Sequence, residues 1–565
     1  MFNMSKIKAA NGAGKPFYMN HLSSNDYYSE HEQVKGYWRG NLIANFGLFG
    51  KEVTAEAFSL FQKNINPKTM DKLTQRTVGS GVRFYDFQVA APKSVSVMSL
   101  FDERLLNAHK DAVREAMKEL ENLAAVRIRA GDNVRTNNYE TTGKMIYAEF
   151  THDASRALDP QLHTHNVVCN VTQTEDGTYK ALESLEMCRA IRYAGKVYHN
   201  AMAAKCRELG YETVNRFDEK GNIVWYDLKG VSEEVMELFS KRRGQIEAKE
   251  AAFIEEHGRK PTLAENNFLS ISTRQDKLVT SSKKEVRKYQ LDQLSSDQKA
   301  GLEFLAREAR GSRRKPEMAD LELTAEMVRE VLPLIYERES VVKLDKVLAE
   351  ALNQNLGKIS LKTLRQAVKE VEELRDLGGG EANPYVSPEE VIDRELLAIK
   401  MVEDHKDLFE PVAPNFEAFP GEESREKQAK LIHGMLSSKD RFCLFRGVAG
   451  AGKTSTLQEL CKGLRSGGVN NIYLVAPTNS ATDVLKQEGF EQSQTVAAFL
   501  LSPNKPPTES YVIIDESGLN SLREGVEILK TAREQNYRVL FVGDARQHTA
   551  VESGDFFRLL ERYSE

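Results

Sequence analysis

Cysteine is scarce in this chain of 565 residues, which contains only five, scattered and without CxxC spacing. Such a set predicts neither a disulfide framework nor a zinc ribbon, and it is typical of a protein of the reducing cytoplasm. Long hydrophobic runs are also missing: no stretch approaches about 18 consecutive apolar residues, and the N-terminus has no apolar signal segment. We therefore expect an untargeted protein with no membrane insertion.

A large excess of charge of one sign is missing too. The net charge is −5 and the isoelectric point is near 6.2, which argues against a protein that is basic all over. Local basic patches that bind DNA remain compatible with these values. The apolar fraction of 41% is ordinary for a globular protein, and the length of 565 residues predicts several domains.

Histidine is rare, yet three of the 11 histidines lie close together: His152, His163 and His165. Residues 145–152 and 163–170 have the pattern of two strands, with turn-forming residues between them. Side chains at i and i+2 of a strand leave the same face, and antiparallel pairing would bring His152 beside the other two. A single histidine is more often an ordinary core or surface residue. Three on adjacent strands predict a divalent metal site with open positions, as in catalytic centres.

Composition changes along the chain divide it into four regions. Residues 1–230 mix short strands with helices, which predicts an α+β domain. Residues 231–375 carry apolar residues at helical spacing and predict an all-helical extension. Residues 376–415, which contain the run Gly378–Gly380 near their start, predict a linker region, and residues 416–565 predict a further α/β domain.

A phosphate-binding motif follows a candidate buried strand at 442–446. Residues 447–454 match GxxxxGK[ST], in which backbone N–H groups cradle phosphates at a helix N-terminus. Lys453 would reach the β and γ phosphates, and Thr454 would bind Mg²⁺. Close approach of the backbone requires glycine, here Gly447, Gly450 and Gly452. The motif predicts ATP binding with Mg²⁺.

Two further candidate strands of this region end in polar residues. Asp515 suits Mg²⁺ coordination, Glu516 suits positioning or deprotonation of the attacking water, and Gln547 would reach the γ-phosphate. Because ligands bind outside the carboxyl ends of parallel strands, these residues predict one site at the edge of a RecA-like P-loop lobe.

The C-terminal region resembles the first five motifs of superfamily 1 helicases of the RecD type. That resemblance implies a second RecA-like domain for unwinding, whereas this sequence ends about 18 residues after Gln547. We therefore expect a truncated helicase module with feeble ATPase activity at most. The resemblance rests on Gln428 and on segments 476–481, 495–499, 515–517 and 543–547.

The N-terminal region, from residue 1 to about 290, resembles the MobF class of conjugative relaxases, the TrwC-like family. The resemblance rests on residues 86–97 and on the three histidines. It implies a five-stranded antiparallel sheet with helices over it, Mg²⁺ or Mn²⁺ as the divalent metal, and a bacterial cytoplasmic setting. It further implies that an N-terminal tyrosine nicks single-stranded DNA at an origin of transfer, leaving a 5′-phosphotyrosine and a free 3′-OH. The implied partners include relaxosome accessory and coupling proteins.

The same resemblance indicates candidate catalytic residues. Asp86 matches the aspartate of the family, and an acidic residue beside a metal-binding histidine can orient the imidazole or accept the proton of the nucleophile. The family has two tyrosine pairs, where this chain has Phe17–Tyr18 and then Tyr27 and Tyr28. We favour Tyr18 as the nucleophile, with Tyr27 and Tyr28 as alternatives.

Two basic residues are candidate DNA contacts, and two other functions stay open. Lys93 and Arg156 are predicted to bind DNA phosphates. The alternatives are a metal-dependent nuclease that uses water, and a non-catalytic ATP-gated DNA-binding module. A covalent protein–DNA adduct distinguishes the relaxase from both.

Overall fold

The computed structural model describes residues 2–8, 34–75, 81–128, 139–155, 157–262, 265–266, 268–269, 283–312, 317–380, 383–447, 452–491, 493–544 and 556–563. The chain forms two compact units, each described by itself. The N-terminal unit comprises residues 1–331, 343–370 and 379–384, and the C-terminal unit comprises residues 332–342, 371–378 and 385–565. Within the described ranges, no helix is long and apolar enough to cross a lipid bilayer.

The elements up to residue 370 alternate between strands and helices. The strands are β1 (Phe2–Lys8), β2 (Tyr37–Arg39), β3 (Val82–Ala90), β4 (Ala125–Arg127), β5 (Tyr139–Thr141), β6 (Tyr147–Ala154), β7 (Pro160–Cys169), β8 (Thr172–Gln173), β9 (Tyr179–Lys180), β10 (Thr213–Phe217), β11 (Ile223–Leu228) and β12 (Val342–Lys343). The helices are α1 (Ala55–Gln62), α2 (Lys93–Met98), α3 (Arg104–Asn122), α4 (Leu185–Arg189), α5 (Ile191–Glu208), α6 (Glu233–Leu238), α7 (Lys241–His257), α8 (Lys283–Asp292), α9 (Ser296–Gly311), α10 (Leu321–Tyr336), α11 (Leu344–Gln354) and α12 (Leu361–Glu370).

The central sheet of the N-terminal unit has five antiparallel strands in the order β1-β3-β7-β6-β2. This confirms the predicted five-stranded antiparallel sheet with helices. The long strands β6 and β7 pair directly, because the segment between them is only five residues long and rich in turn-forming residues. The histidine-bearing strands therefore lie inside the sheet, away from both of its edges.

The two faces of this sheet pack against different elements. On one face, Arg114 of α3 donates hydrogen bonds to Glu149 of β6 at 2.9 and 3.1 Å, so α3 covers that side. On the other face, the buried side chains Trp38, Phe84 and Phe150 cluster with Phe58 of α1. Trp38 is 1% exposed and is part of this packed cluster. Because side chains alternate along a strand, the second face is also the histidine face.

The remaining elements begin at residue 374. The strands are β13 (Leu374–Asp376), β14 (Tyr385–Pro388), β15 (Phe442–Arg446), β16 (Ile472–Ala476), β17 (Gln494–Thr495), β18 (Tyr511–Ile514) and β19 (Arg538–Gly543). The helices are α13 (Glu389–Glu403), α14 (Glu426–Ser437), α15 (Lys453–Ser466), α16 (Asn479–Gln487), α17 (Val496–Leu501), α18 (Leu522–Glu534) and α19 (Phe556–Tyr563).

The C-terminal unit is built on a five-stranded parallel sheet in the order β15-β19-β18-β16-β17. Alternate residues of β15, β16, β18 and β19 enter two separate buried clusters, such as Val512 in one and Ile513 in the other. Burial on both faces explains why these strands are continuous apolar runs in the sequence. The predicted α/β architecture of the P-loop lobe is confirmed.

The region predicted as a linker, residues 376–415, differs from that expectation. Gly378, Gly379 and Gly380 have positive φ angles of 75°, 89° and 143° and make a tight connection, but α13 follows almost at once. Val391, Ala398 and Val402 recur at helical spacing and are buried in the core of the C-terminal unit. The glycines make a turn, but the apolar residues after them recur at helical spacing and form a buried helix. The core of this unit therefore includes residues well before 416.

Candidate functional site

Three histidine side chains meet on one face of the N-terminal sheet. His152 of β6 lies directly opposite His163 of β7, and His165 follows two residues along the same strand. The ring centroids of His152 and His163 are 5.2 Å apart, those of His152 and His165 are 5.5 Å apart, and those of His163 and His165 are 5.4 Å apart. The predicted pairing of the two strands, with all three rings together, is confirmed.

In two of these histidines, a hydrogen bond at Nδ1 determines that Nε2 is the nitrogen available to a metal ion. Nδ1 of His165 is 2.8 Å from Oδ2 of Asp86 on β3, and Nδ1 of His163 is 2.9 Å from the carbonyl oxygen of Gln161. Both contacts require a proton on Nδ1, so Nε2 keeps its lone pair in the neutral ring. Burial lowers the pKa of His163 to about 4, which keeps this imidazole neutral at physiological pH.

The donor set fits a divalent metal ion. Imidazoles that bind one ion through a single nitrogen at about 2.1 Å have ring centroids about 5 Å apart, close to the separations seen here. As the side chains stand, no three or more His, Cys, Asp or Glu residues of the described ranges form a group that could hold a metal ion. The fit therefore rests on the separations of the three ring centroids.

A hydrogen-bonded network lies behind the histidine strand, on the face that α3 covers. Thr164, between His163 and His165, points away from both, and its Oγ1 is 2.9 Å from Nε2 of the buried His109. Nδ1 of His109 is 2.7 Å from the hydroxyl of Tyr198 on α5. Burial lowers the pKa of His109 to about 3. Nothing in the sequence singles out His109, because it follows Leu105 and precedes Ala112 on an apolar helix face.

The helix α2 holds the first residues of β7 in position. The Lys93 ammonium donates to the carbonyl oxygens of Pro160 at 3.1 Å and Phe239 at 2.7 Å. The hydroxyl of Ser96 accepts the N–H of Leu162, the residue before His163. The lysine predicted to bind a DNA phosphate is thus engaged inside the domain, and burial lowers its pKa to about 8. A lysine after a proline gives no sign in the sequence that carbonyl groups surround it.

Several predicted site residues lie outside the described part of the chain. These are the candidate nucleophiles, one candidate phosphate contact and two residues of the nucleotide site, namely Tyr18, Tyr27, Tyr28, Arg156, Gly450 and Gln547.

The described part of the phosphate-binding motif surrounds the carboxyl end of β15. Gly447 follows the strand, and a Cβ on it would lie 2.6 Å from Cγ of Lys453, so only glycine leaves room for the lysine. Gly452 has a φ of 73°, and a Cβ there would lie 2.8 Å from Nε2 of Gln428. Lys453 and Thr454 then begin α15. The strand before the motif and the helix after it are the elements that the motif predicts.

The carboxylates of β18 stand at the same edge of the sheet. Asp515 follows the last residue of β18, and Glu516 has a left-handed backbone with a φ of 50°. Burial raises the pKa of Asp515, opposed by the nearby Lys453 ammonium. The hydroxyl of Thr454 donates to Oε1 of Glu488 at 2.7 Å. Glu488 lies 34 residues along the chain from Thr454, and no sequence motif indicates their contact.

Comparison with known proteins gives two separate family matches along the chain. Residues 11–296, about half of the chain, match the family model described as TrwC relaxase. Residues 423–565 match the model described as an AAA domain. The second match begins three residues before α14 and includes the phosphate-binding motif and strands β15 to β19.

Two curated relatives are both described as the multifunctional conjugation protein TraI. One, from Escherichia coli, is 33% identical over 290 residues, and the other, from Escherichia coli strain K12, is 31% identical over 290 residues. Each match covers 49% of this chain and 15% of the relative. The chain therefore corresponds to a small part of either protein.

A solved structure of the conjugative relaxase TrwC in complex with oriT DNA, in its metal-bound form, is 27% identical to this chain. The match covers 54% of this chain and 98% of that one, with a TM-score of 0.44. The family assignment rests instead on the family model and on the histidine and aspartate geometry described above. The chain belongs to the TrwC relaxase family.

Proposed function

We propose that the N-terminal unit nicks and religates single-stranded DNA at an origin of transfer by metal-assisted tyrosine transesterification. The observation that carries this proposal is the set of three imidazoles that meet on β6 and β7, with Asp86 hydrogen-bonded to one of them. Membership of the TrwC relaxase family supports it. The solved TrwC relative is described as a complex with oriT DNA, which supports the substrate.

His152, His163 and His165 would hold the divalent ion. When bound, such an ion polarises the scissile phosphate and stabilises the negative charge that develops on it. The Asp86 carboxylate would fix the orientation of the His165 ring and increase its basicity as a ligand. Family resemblance favours Mg²⁺ or Mn²⁺, although three imidazoles also suit softer divalent metals.

The second carboxylate oxygen of Asp86 suits the removal of a proton. Oδ1 of Asp86 is buried and accepts no hydrogen bond from any residue in the described ranges. A tyrosine hydroxyl has a pKa near 10 and needs a base to become a good nucleophile at neutral pH. We assign that role to Asp86, with Tyr18 as the first nucleophile and Tyr27 or Tyr28 as the alternatives.

The reaction replaces one phosphate ester bond with another, so the energy of the broken bond is kept in the tyrosine adduct. The phenolic oxygen attacks phosphorus, a tyrosine–phosphorus bond forms, and the bond from phosphorus to the 3′ oxygen breaks. The phenolic proton passes to the base, and the departing 3′ oxygen gains a proton to become a free hydroxyl. Attack by a 3′-OH on the phosphotyrosine reverses these steps, so religation requires no ATP.

The C-terminal unit is proposed to bind ATP with Mg²⁺. Gly447, Gly452 and Lys453 stand where the motif requires them, and Asp515 lies at the same edge of the sheet. Relaxosome accessory and coupling proteins are the proposed partners, and a bacterial cytoplasm is the proposed setting.

A covalent adduct tests the relaxase proposal. The full chain is incubated with a single-stranded oligonucleotide that carries an origin-of-transfer sequence, in Mn²⁺ or in EDTA, and is then denatured. We expect a protein–DNA adduct in Mn²⁺ that survives denaturant and electrophoresis. The variants Y18F, Y27F and Y28F are compared, and loss of the adduct in Y18F alone identifies the first nucleophile.

The alternatives give different results in the same experiment. Cleavage without an adduct, unchanged in all three tyrosine variants, would indicate a nuclease that uses water. Binding of the oligonucleotide without cleavage would indicate a non-catalytic DNA-binding module. Either outcome contradicts the transesterification proposal.

A further inference from the structure

The side chain of Thr454 contacts a residue that no nucleotide-binding motif includes. Its hydroxyl donates to Oε1 of Glu488 at 2.7 Å. In the phosphate-binding motif, this hydroxyl is the group that binds Mg²⁺. Asp515 is the other carboxylate predicted to act on Mg²⁺. Its Oδ1 accepts the backbone N–H of Glu516 at 2.9 Å. Among these contacts, Glu488 is the partner that fixes the rotation of the threonine hydroxyl.

A second contact holds Glu488 against the same helix. Nε2 of Gln458, one turn after Thr454 on α15, donates to the carbonyl oxygen of Glu488 at 3.0 Å. The backbone N–H of Glu488 donates to the carbonyl oxygen of Val484, within α16. Gly489 follows with a φ of 95°, which ends the helix. Both the backbone and the carboxylate of Glu488 are therefore tied to α15.

The position of this carboxylate is unfavourable unless it has a positive partner. Glu488 is the C-terminal capping residue of α16, where the partial negative charge of the helix end disfavours an anion. Glu488 also lies near other carboxylates. Burial is the main cause of the raised pKa of Asp515, and the negative charges of Glu516 and Glu488 raise it further. Such a concentration of negative charge around a hydroxyl suits a site that receives a divalent cation.

We propose that Glu488 is a positioning residue that orients the Thr454 hydroxyl for Mg²⁺ bound with the nucleotide. A hydroxyl has one hydrogen to donate and two lone pairs to offer. When the hydrogen is directed to Glu488, the lone pairs point away from it and are available to a cation. This inference rests on the proposed binding of ATP with Mg²⁺ in the C-terminal unit.

The test measures how strongly Mg²⁺ improves nucleotide binding. The full chain is titrated with a fluorescent ATP analogue in EDTA and again in Mg²⁺, and the ratio of the two dissociation constants is compared among variants. We expect E488A to lower the Mg²⁺ enhancement about tenfold, the lower limit for loss of an outer-shell partner, with unchanged affinity in EDTA. E488Q should keep the enhancement within about threefold, because its amide oxygen still accepts the threonine hydrogen. E491A, at an exposed glutamate three residues later, is the matched control.

A double-mutant cycle separates this role from a merely structural one. T454V removes the hydroxyl and should lower the Mg²⁺ enhancement by itself. If Glu488 acts through Thr454, E488A causes no further loss in the T454V background. Additive losses, an unchanged enhancement in E488A, or tighter binding of the Mg²⁺ nucleotide by E488A would each overturn the inference. If E488A does not fold, E488M replaces it in the same cycle, because methionine keeps the length of the side chain but removes the carboxylate that accepts the threonine hydrogen.

Failure of the proposed ATP site gives a different result. If the unaltered chain binds no nucleotide, or if K453A binds as tightly as the unaltered chain, the ATP-binding proposal itself is wrong. If binding requires Lys453 but the Mg²⁺ enhancement does not require Glu488, only the positioning role is wrong.

Discussion

The two units place their candidate sites on different parts of a β-sheet. In the N-terminal unit, the site lies on a face of an antiparallel sheet, where His152, His163 and His165 project from neighbouring strands. In the C-terminal unit, the site lies at the carboxyl edge of a parallel sheet, where Gly447 and Asp515 follow β15 and β18. The first site is built from side chains, whereas the second combines the backbone at Gly447 and Gly452 with side chains.

This difference determines what each site depends on. A site on a sheet face depends on strand register, because a slip of one residue would turn every histidine to the opposite face. A site at a sheet edge depends on the conformation of the loops, so Gly447 and Gly452 matter there as much as the charged residues. We therefore expect the face site to be sensitive to groups that fix β6 and β7, and the edge site to be sensitive to backbone changes.

The largest expected effect is the loss of metal binding when one imidazole is removed. H165A leaves two ligands and an open position, so we expect Mn²⁺ affinity to fall at least a hundredfold and metal-dependent nicking to disappear. Calorimetric titration with Mn²⁺ measures the affinity. K453A is the matched control from the edge site and should bind Mn²⁺ as the unaltered chain does.

Nucleotide affinity, measured on the same two variants, completes the comparison of the two sites. H165A should bind nucleotide normally, whereas K453A should lose nucleotide affinity. Normal Mn²⁺ binding by both H165A and H163A would contradict the assignment of the face site.

The next largest effect concerns the residue that orients His165. D86N keeps the size of the side chain and can still accept the Nδ1 hydrogen, but it loses the negative charge. We expect Mn²⁺ affinity to fall about tenfold to a hundredfold, less than in H165A. If Asp86 also accepts the proton of the nucleophile, nicking at saturating Mn²⁺ should remain slow. Full recovery of nicking by excess metal would limit Asp86 to an orienting role.

Much of the face site is predictable from the sequence, since it depends on short-range regularities. Alternation along β7 puts His163 and His165 on one side, and turn residues before Pro160 favour pairing with β6. The involvement of Asp86 was implied only by family resemblance, because β3 lies far from β7 in the sequence. Its hydrogen bond to His165 depends on the order of strands in the sheet.

Contacts between distant elements could not be predicted in the same way. His109 has the sequence context of an ordinary core position, and Lys93 has that of an exposed cation. Glu488 follows a helix that contains no motif residue near its end. In each case the partner group is a main-chain carbonyl or a hydroxyl on another element, and no local spacing encodes that proximity.

A smaller effect should appear as pH dependence of the stability of the N-terminal unit. The pKa of His109 is about 3 in the folded protein, against about 6.5 in the unfolded chain. Between these values the unfolded state binds the extra proton, so the free energy of unfolding falls as the pH is lowered from about 6.5 towards 3. From pH 6.5 to pH 5 this amounts to about 2 kcal/mol.

Hydrogen exchange at the amides of α3 and β7 in the full chain measures this effect. H109Q removes the titrating group and should reduce the difference in opening free energy between pH 7 and pH 5. H257Q, at an exposed histidine of α7, is the matched control. The same pH difference in H109Q as in the unaltered chain would mean that other groups cause the acid sensitivity.

The smallest expected effect distinguishes an internal lysine from a DNA contact. Each phosphate that a protein neutralises on single-stranded DNA changes the slope of log affinity against log salt by about 0.7. Because the Lys93 ammonium donates to the carbonyl oxygens of Pro160 and Phe239, K93Q should leave this slope unchanged. R156A is the comparison variant and should reduce the slope by about 0.7, because Arg156 remains a predicted phosphate contact. The slope is measured by fluorescence anisotropy with a labelled oligonucleotide. A reduced slope in K93Q would show that the lysine leaves its carbonyl partners when DNA binds, and the face site would then include a mobile cation.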